Sequence, residues 1–203
     1  MKRQIIPQDA SYTFSDYFKL NFYTKDILAH FGYSFQMQNY VLPRAPSEPG
    51  QLGNLRTRLE ESLPYLNLTN ETARREFLIA PVLLKVVRHT HAEIKVEYPL
   101  QVTQQLKGTL DYFLQAKNNL LIIEAKNADL QRGFTQLAVE LIALDKWIES
   151  DAKLLYGAVS QGNVWQFGIL DRQKQSVTQD FNLYSVPTNL EDLLSILIAI
   201  LTE

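Results

Sequence analysis

Cysteine is absent from the 203-residue chain, which excludes disulfides and thiolate metal sites. Histidine is scarce: the three, His30, His89 and His91, are too few for an imidazole-built zinc centre without carboxylates. His89 and His91 read as a helix end and its exit rather than as ligands. Neither sign of charge dominates. Twenty Lys and Arg against 22 Asp and Glu leave a net charge of -2 and a pI near 6.0, which argues against strong, indiscriminate duplex binding. A local basic patch stays compatible with nucleic acid, because affinity follows the phosphates contacted rather than the total charge. No apolar run approaches the roughly 20 residues that cross a bilayer. The longest, Leu190 to Leu201, carries Glu191 and Asp192. The basic start Met1-Lys2-Arg3 has no apolar stretch behind it, so a cytoplasmic protein without a secretion signal or membrane partner is expected.

What the chain does have is ordinary globular composition, 46% hydrophobic and 21% charged, enough for one domain with a sizeable core and an appended arm. Aromatics crowd the start: Tyr12, Phe14, Tyr17, Phe18, Phe22, Tyr23, Phe31, Tyr33, Phe35 and Tyr40. Rings mixed with charge can stack on bases, but they more often pack an arm onto a main domain. Leu42-Pro43-Arg44-Ala45-Pro46-Ser47-Glu48-Pro49-Gly50 has loop composition. The expected division is an arm and linker over 1–50 and a main domain over 51–203.

Leu55, Leu59, Leu63 and Leu66 recur at helical spacing, and Thr69-Asn70-Glu71 marks a second helix start. That helix carries Glu76 to Ile79, and Pro81 predicts a kink or restart at Ala80 before the run to Val87. The period then drops to two. Ile94, Val96, Tyr98 and Leu100 alternate with Glu93, Lys95 and Glu97, a strand with one wet face. Further strands are predicted over 106–116 and 120–126, joined by Lys117-Asn118-Asn119. A helix over 130–149 follows, with a stripe of Phe134, Leu137, Ala138, Leu141, Leu144 and Ile148. Strands over 153–160 and 163–170 meet at Gln161-Gly162-Asn163, with a weaker run over 175–184 and an apolar helix over 189–202.

The chemistry lies in Gly108-Thr109-Leu110-Asp111 and Ile122-Ile123-Glu124-Ala125-Lys126. Strand alternation puts Glu124 and Lys126 on one face with Ala125 turned away. With Asn118 and Asn119 as a two-residue loop, Asp111 is expected opposite Lys126, with Glu124 on its diagonal. A three-residue loop without a bulge would turn Asp111 to the wrong face. Glu-x-Lys alone is no more than an ordinary salt bridge. The two apolar strands, the Gly-x-x-Asp lead-in and the helix behind them make the combination specific.

This constellation resembles the PD-(D/E)XK, or restriction-endonuclease-like, nuclease superfamily over about 70–185. The resemblance implies an α/β fold with an αβββαβ core and a mixed central β-sheet flanked by helices. It implies Mg²⁺, with Mn²⁺ as a substitute, held by Asp111, Glu124 and the Ala125 carbonyl. Glu76 on the preceding helix and Gln136 on the following one become further catalytic candidates, with Glu140 one turn beyond Gln136. Leu110 stands where the family often has proline. The activity implied is a nuclease hydrolysing phosphodiester bonds in nucleic acid, an endonuclease on DNA rather than RNA, leaving a 3′-hydroxyl and a 5′-phosphate. The alternative is a nuclease-fold protein that no longer cuts and serves in binding or assembly.

Adjacent carboxylates should raise the Lys126 pKa, which suits it to stabilising charge on the phosphate rather than to acting as a free base. Lys107 and Arg132 flank the motif and are the candidates for holding the nucleic-acid backbone. Arg74, Arg75 and Arg88 are further basic residues that could reach the backbone, but they read rather as solvated helix faces. The last helix is apolar all round, so more than one of its sides must be covered. A second subunit, giving a homodimer, is expected there, with cover by the arm as the alternative.

Overall fold

A computed structural model describes residues 5–7, 9–46, 53–117, 119–126 and 129–202. The elements in chain order are α1 (Phe14–Lys19), α2 (Thr24–His30), β1 (Ser34–Gln38), α3 (Gly53–Ser62), α4 (Glu71–Arg74) and α5 (Ala80–Thr90). They continue with β2 (Glu93–Gln101), β3 (Lys107–Ala116), β4 (Asn119–Ala125) and α6 (Leu130–Trp147). The chain closes with β5 (Leu154–Ser160), β6 (Val164–Asp171), β7 (Ser176–Asp180), β8 (Tyr184–Ser185) and α7 (Leu190–Thr202). Together they make an α/β fold: one mixed sheet of order β1-β7-β6-β5-β4-β3-β2, with β8 beside β6, flanked by helices.

Local chemistry sets the boundaries. Asn70 caps α4 by accepting the Ala73 N–H at 2.8 Å, satisfying one of the helix's orphan donors. Between α4 and α5 the chain widens into a π turn, Arg75–Ile79. Pro81 supplies no N–H and would crowd the carbonyl four residues back, so the wide turn falls where a restart is expected. His91 ends α5 in the left-handed region at φ 56°, the helix exit read from the sequence.

The arm is not an appendage. β1 pairs in parallel with β7, Ser34 beside Ser176 through Gln38 beside Asp180. Phe14, Tyr17, Ile27, Leu28 and Tyr33 are buried in the same core as α6. This cover explains why α6 is buried all round from Gly133 to Leu144, beyond the stripe expected of it. On the other face of α6, Gly157 and Gly168 are paired across β5 and β6. A Cβ on Gly157 would stand 2.7 Å from Leu137, and one on Gly168 2.9 Å from Phe134, so the bare backbone lets the helix press onto the sheet. The boundary near residue 50 lies outside the described residues.

The last helix is covered within the single chain. Leu190, Leu193, Leu194, Ile196 and Leu197 are all 0% exposed within the single chain. The second core of the protein covers them: α5, the inner sheet face, and Leu42, Leu55 and Leu59. Ala45 and Ser195 bond each other twice, N–H to carbonyl at 3.0 Å and hydroxyl to carbonyl at 2.8 Å. The apolar surplus that argued for a homodimer is therefore used inside the chain. No described helix is long and apolar enough to cross a membrane.

Candidate active site

The β3–β4 hairpin decides whether the acids can meet. Ala116 pairs with Asn119 and Tyr112 with Ile123, so the loop begins at Lys117, in the left-handed region at φ 51°, and Asn119 belongs to the strand. Asn118 lies outside the described residues. The loop is one residue earlier than the sequence suggested. The slip keeps the parity, so the faces are preserved, but the neighbours change: continuing the ladder brings Asp111 beside Glu124 rather than beside Lys126. Lys126 lies just past the strand, where its N–H donates to the Ser160 carbonyl at 2.8 Å.

Asp111, Glu124, Lys126 and Gln136 converge. Asp111 Oδ2 accepts the Ala125 N–H at 2.8 Å, tying one acid to the strand that carries the other. Glu124 Oε1 accepts from Gln136 Nε2 at 2.5 Å and pairs with the Lys126 ammonium. Gln136 Nε2 also donates to Glu140 Oε1 at 2.9 Å. Glu124 and Glu140 are 1% and 0% exposed, Gln136 3%. Glu124 Oε2, Gln136 Oε1 and Glu140 Oε2 are buried without a hydrogen-bond partner. Orphaned buried oxygens carry a desolvation cost and call for a proton or a cation.

The electrostatics follow from burial. Burial, then the Asp111 charge, push the Glu124 carboxyl up to about 8 against the pull of Lys126. Burial and then Glu124 hold Glu140 well above the ordinary carboxylate range. Burial alone would lower the Lys126 ammonium, but Glu124, Asp111 and Glu140 outweigh it and hold it above the usual lysine value. The raised lysine is the direction expected from the sequence. Its Nζ lies 5.4 Å from the Phe18 ring centroid, a cation–π contact. Phe18 belongs to α1, so the arm supplies a wall of the site. Gly133 supplies another: a Cβ there would stand 2.8 Å from Val159 Cγ2 and 2.9 Å from Lys126 Cγ.

Not every expected residue arrives. Glu76 is exposed on the π turn, and its neighbour Arg75 turns inward instead. Arg75 Nη1 lies 3.6 Å from Asp111 Oδ1 and 3.4 Å from Glu97 Oε1, with the guanidinium 5.2 Å over the Tyr112 ring. The widened turn shifts the helical phase that the sequence reading assumed. Lys107 donates to Gln104 at 2.8 Å at the start of β3. Arg132 pairs with Asp129 at 3.2 Å and donates to Asn21 at 3.1 Å, at the entrance to α6. Gly133 and Phe18 were missed as site residues; Arg75 was set aside as a solvated helix face, and Glu140 was noted only by its spacing of one turn from Gln136.

The arrangement offers the Asp111 and Glu124 carboxylates, tied together through the Ala125 N–H, and the Lys126 ammonium. Among the described residues no three His, Cys, Asp or Glu side chains form a ready metal cage. Magnesium does not require one, since it commonly takes one or two carboxylates and keeps several waters. The oxygen-only donor set and the unpartnered Glu124 Oε2 fit such an ion. In comparisons with known proteins, no family model, curated protein or solved structure matches this chain.

Proposed function

We propose that this chain is a Mg²⁺-dependent nuclease, with Mn²⁺ as a substitute, hydrolysing phosphodiester bonds in nucleic acid as an endonuclease on DNA rather than RNA. The observation that carries the reading is the convergence of Asp111, Glu124, Lys126 and Gln136 at one buried spot. The succession of a helix, three strands, a helix and a strand from α5 to β5 supports a restriction-endonuclease-like αβββαβ core around it. The absence of a membrane-crossing helix among the described residues accords with a cytoplasmic place.

Asp111, Glu124 and the Ala125 carbonyl would hold the ion. When bound, it supplies Lewis-acid polarisation of the phosphate and a more acidic water. Gln136 fixes the Glu124 carboxylate by its bond to Oε1 and leaves Oε2 for a ligand. The Ala125 N–H fixes Asp111 in the same way. Lys126 is positively charged at neutral pH because its carboxylate neighbours outweigh its burial, so it donates to the charge that grows on the phosphate oxygens. It is not the base that deprotonates water.

The test uses supercoiled plasmid, single-stranded DNA and RNA, with Mg²⁺, Mn²⁺ or EDTA, beside Lys126→Ala. Nicked or linear plasmid in the presence of the ions, and none with EDTA or the variant, is expected. Failure to cut every substrate under every metal condition removes the nuclease reading.

A further inference from the structure

Arg75 is held in place by an unusual amount of local irregularity. It opens the π turn of residues 75–79, and such turns gather at functional sites. Across from it, the β2–β3 ladder breaks between the pairs Val96–Tyr112 and Tyr98–Leu110. Glu97, in that gap, takes the left-handed region at φ 52°, a conformation that costs a non-glycine residue about 1 kcal/mol or more. Two departures from regular structure, on separate elements, thus meet at one guanidinium. The Tyr112 ring floors it at 5.2 Å.

The contacts it makes are not those of a finished ion pair. Asp111 and Glu97 both meet the same atom, Nη1, at 3.6 and 3.4 Å. Neither carboxylate takes the two-pronged grip that arginine gives a well-matched oxyanion. The Arg75 side chain is 18% exposed, and the Glu97 side chain beside it 67%, so a path from solvent to the guanidinium runs past Glu97. A strut holding Asp111 would need neither the loose geometry nor the opening. An oxyanion larger than the gap to Glu97, arriving from solvent, would meet both.

We propose that Arg75 is a phosphate-binding residue: its guanidinium grips a backbone phosphate of nucleic acid beside Asp111, and Glu97 holds it ready until the phosphate arrives. This deepens the nuclease reading and rests on it for the identity of the ligand. It gives the site a cation on the far side of Asp111 from Lys126, so a phosphate there lies between two positive charges. Glu97 is a positioning residue, displaced from the guanidinium by the incoming anion.

The test is the affinity of a fluorescent oligonucleotide for the full chain, read by anisotropy over a range of salt. Ca²⁺ replaces Mg²⁺ so that binding is read apart from cleavage. Arg75→Ala should weaken binding by about tenfold and reduce the salt slope by about one. Arg75→Lys, which keeps the charge and loses the fork, should fall between. Glu97→Gln should bind as tightly as wild type or more so. Wild-type affinity and slope in Arg75→Ala would overturn the proposal, and so would a Glu97→Gln loss equal to that of Arg75→Ala. Should Arg75→Ala not fold, Arg75→Lys decides: full affinity overturns the two-pronged grip, and a loss supports it. A wild type that binds through Arg75 but never cuts would remove the nuclease reading and keep this one.

Discussion

The Glu124 carboxylate and the Gln136 amide meet at 2.5 Å with almost no exposure to solvent. The same amide nitrogen also serves Glu140, so two buried acids hang on one donor. Both cannot be ionised cheaply in so dry a place, and the protein by itself answers by retaining protons.

That retention has a sign. The Glu124 carboxyl rises from 4.5 in the unfolded chain to about 8 in the folded one. Between these values the folded protein binds the proton and the unfolded chain does not. The stability this gives is fully present below about 4.5 and is lost as pH rises through about 8. Glu140 shifts in the same direction and adds to the slope. In EDTA, Tm should fall as pH is raised across this window, and Glu140→Gln should flatten the fall. Thermal unfolding at stepped pH checks it; a Tm that climbs across the window contradicts it.

A divalent cation competes with that proton. Calorimetry near pH 7 should show proton release on Mn²⁺ binding, read as a heat that depends on the ionisation enthalpy of the buffer. Affinity should tighten as pH approaches 8. Asp111→Asn should weaken binding by about tenfold or more while sparing the fold, because the asparagine oxygen still accepts the Ala125 N–H. Unchanged affinity in this variant would remove the metal site.

Lys126→Ala should lower cleavage on the order of 10²-fold or more and leave metal binding in place. Loss of the ammonium lets the Glu124 carboxyl rise further, so the metal titration is compared with wild type over a series of pH values, not at one. Near wild-type cutting would reassign Lys126 to structure.

Gly133→Ala tests the packing beneath that lysine. The new methyl would overlap Lys126 Cγ and Val159 Cγ2, at 2.9 and 2.8 Å. The helical gain of about 1 kcal/mol from replacing glycine opposes an overpacking cost of about 1–3 kcal/mol, so Tm should move by only a few degrees. Cleavage should fall much further, by up to about 10²-fold, since it depends on where the ammonium sits. Equal activity with a shifted Tm would show that the stem of Lys126 can move aside freely.

Much of this was legible in the sequence because period and punctuation agree locally. The alternation of Ile94 to Leu100, the stripe of Phe134 to Leu144 and the Asn70 cap each report one element, and each element is found, although Val96 on the expected dry face of the first is 55% exposed. The faces of Asp111 and Glu124 followed from parity, which a slip of the turn by one residue on each side preserves. What was not legible depends on phase and on distant cover. The π turn moves Glu76 outward and Arg75 inward, and nothing in Arg74-Arg75-Glu76 announces a wide turn except Pro81 beyond it. The burial of Glu140 arises from its place on α6 beside Gln136 and the Glu124 carboxyl of β4. The cover of α7 arises from Leu42 and Ala45. Local pattern carries no record of either.

The pairing of β1 with β7 joins residues 142 positions apart, as in the bond from Gln36 to Thr178 at 2.9 Å. β1 must therefore wait for β7, far along the chain, before it gains its hydrogen-bond partner. Contacts of such long range are slow to form. The Phe18 wall beside Lys126 lies ahead of β1, on α1, whose seat is α6. A chain that has reached only β4 thus holds Asp111 and Glu124 without Gln136 or the Phe18 wall, and the site closes only once α6 is in place to supply the one and seat the other.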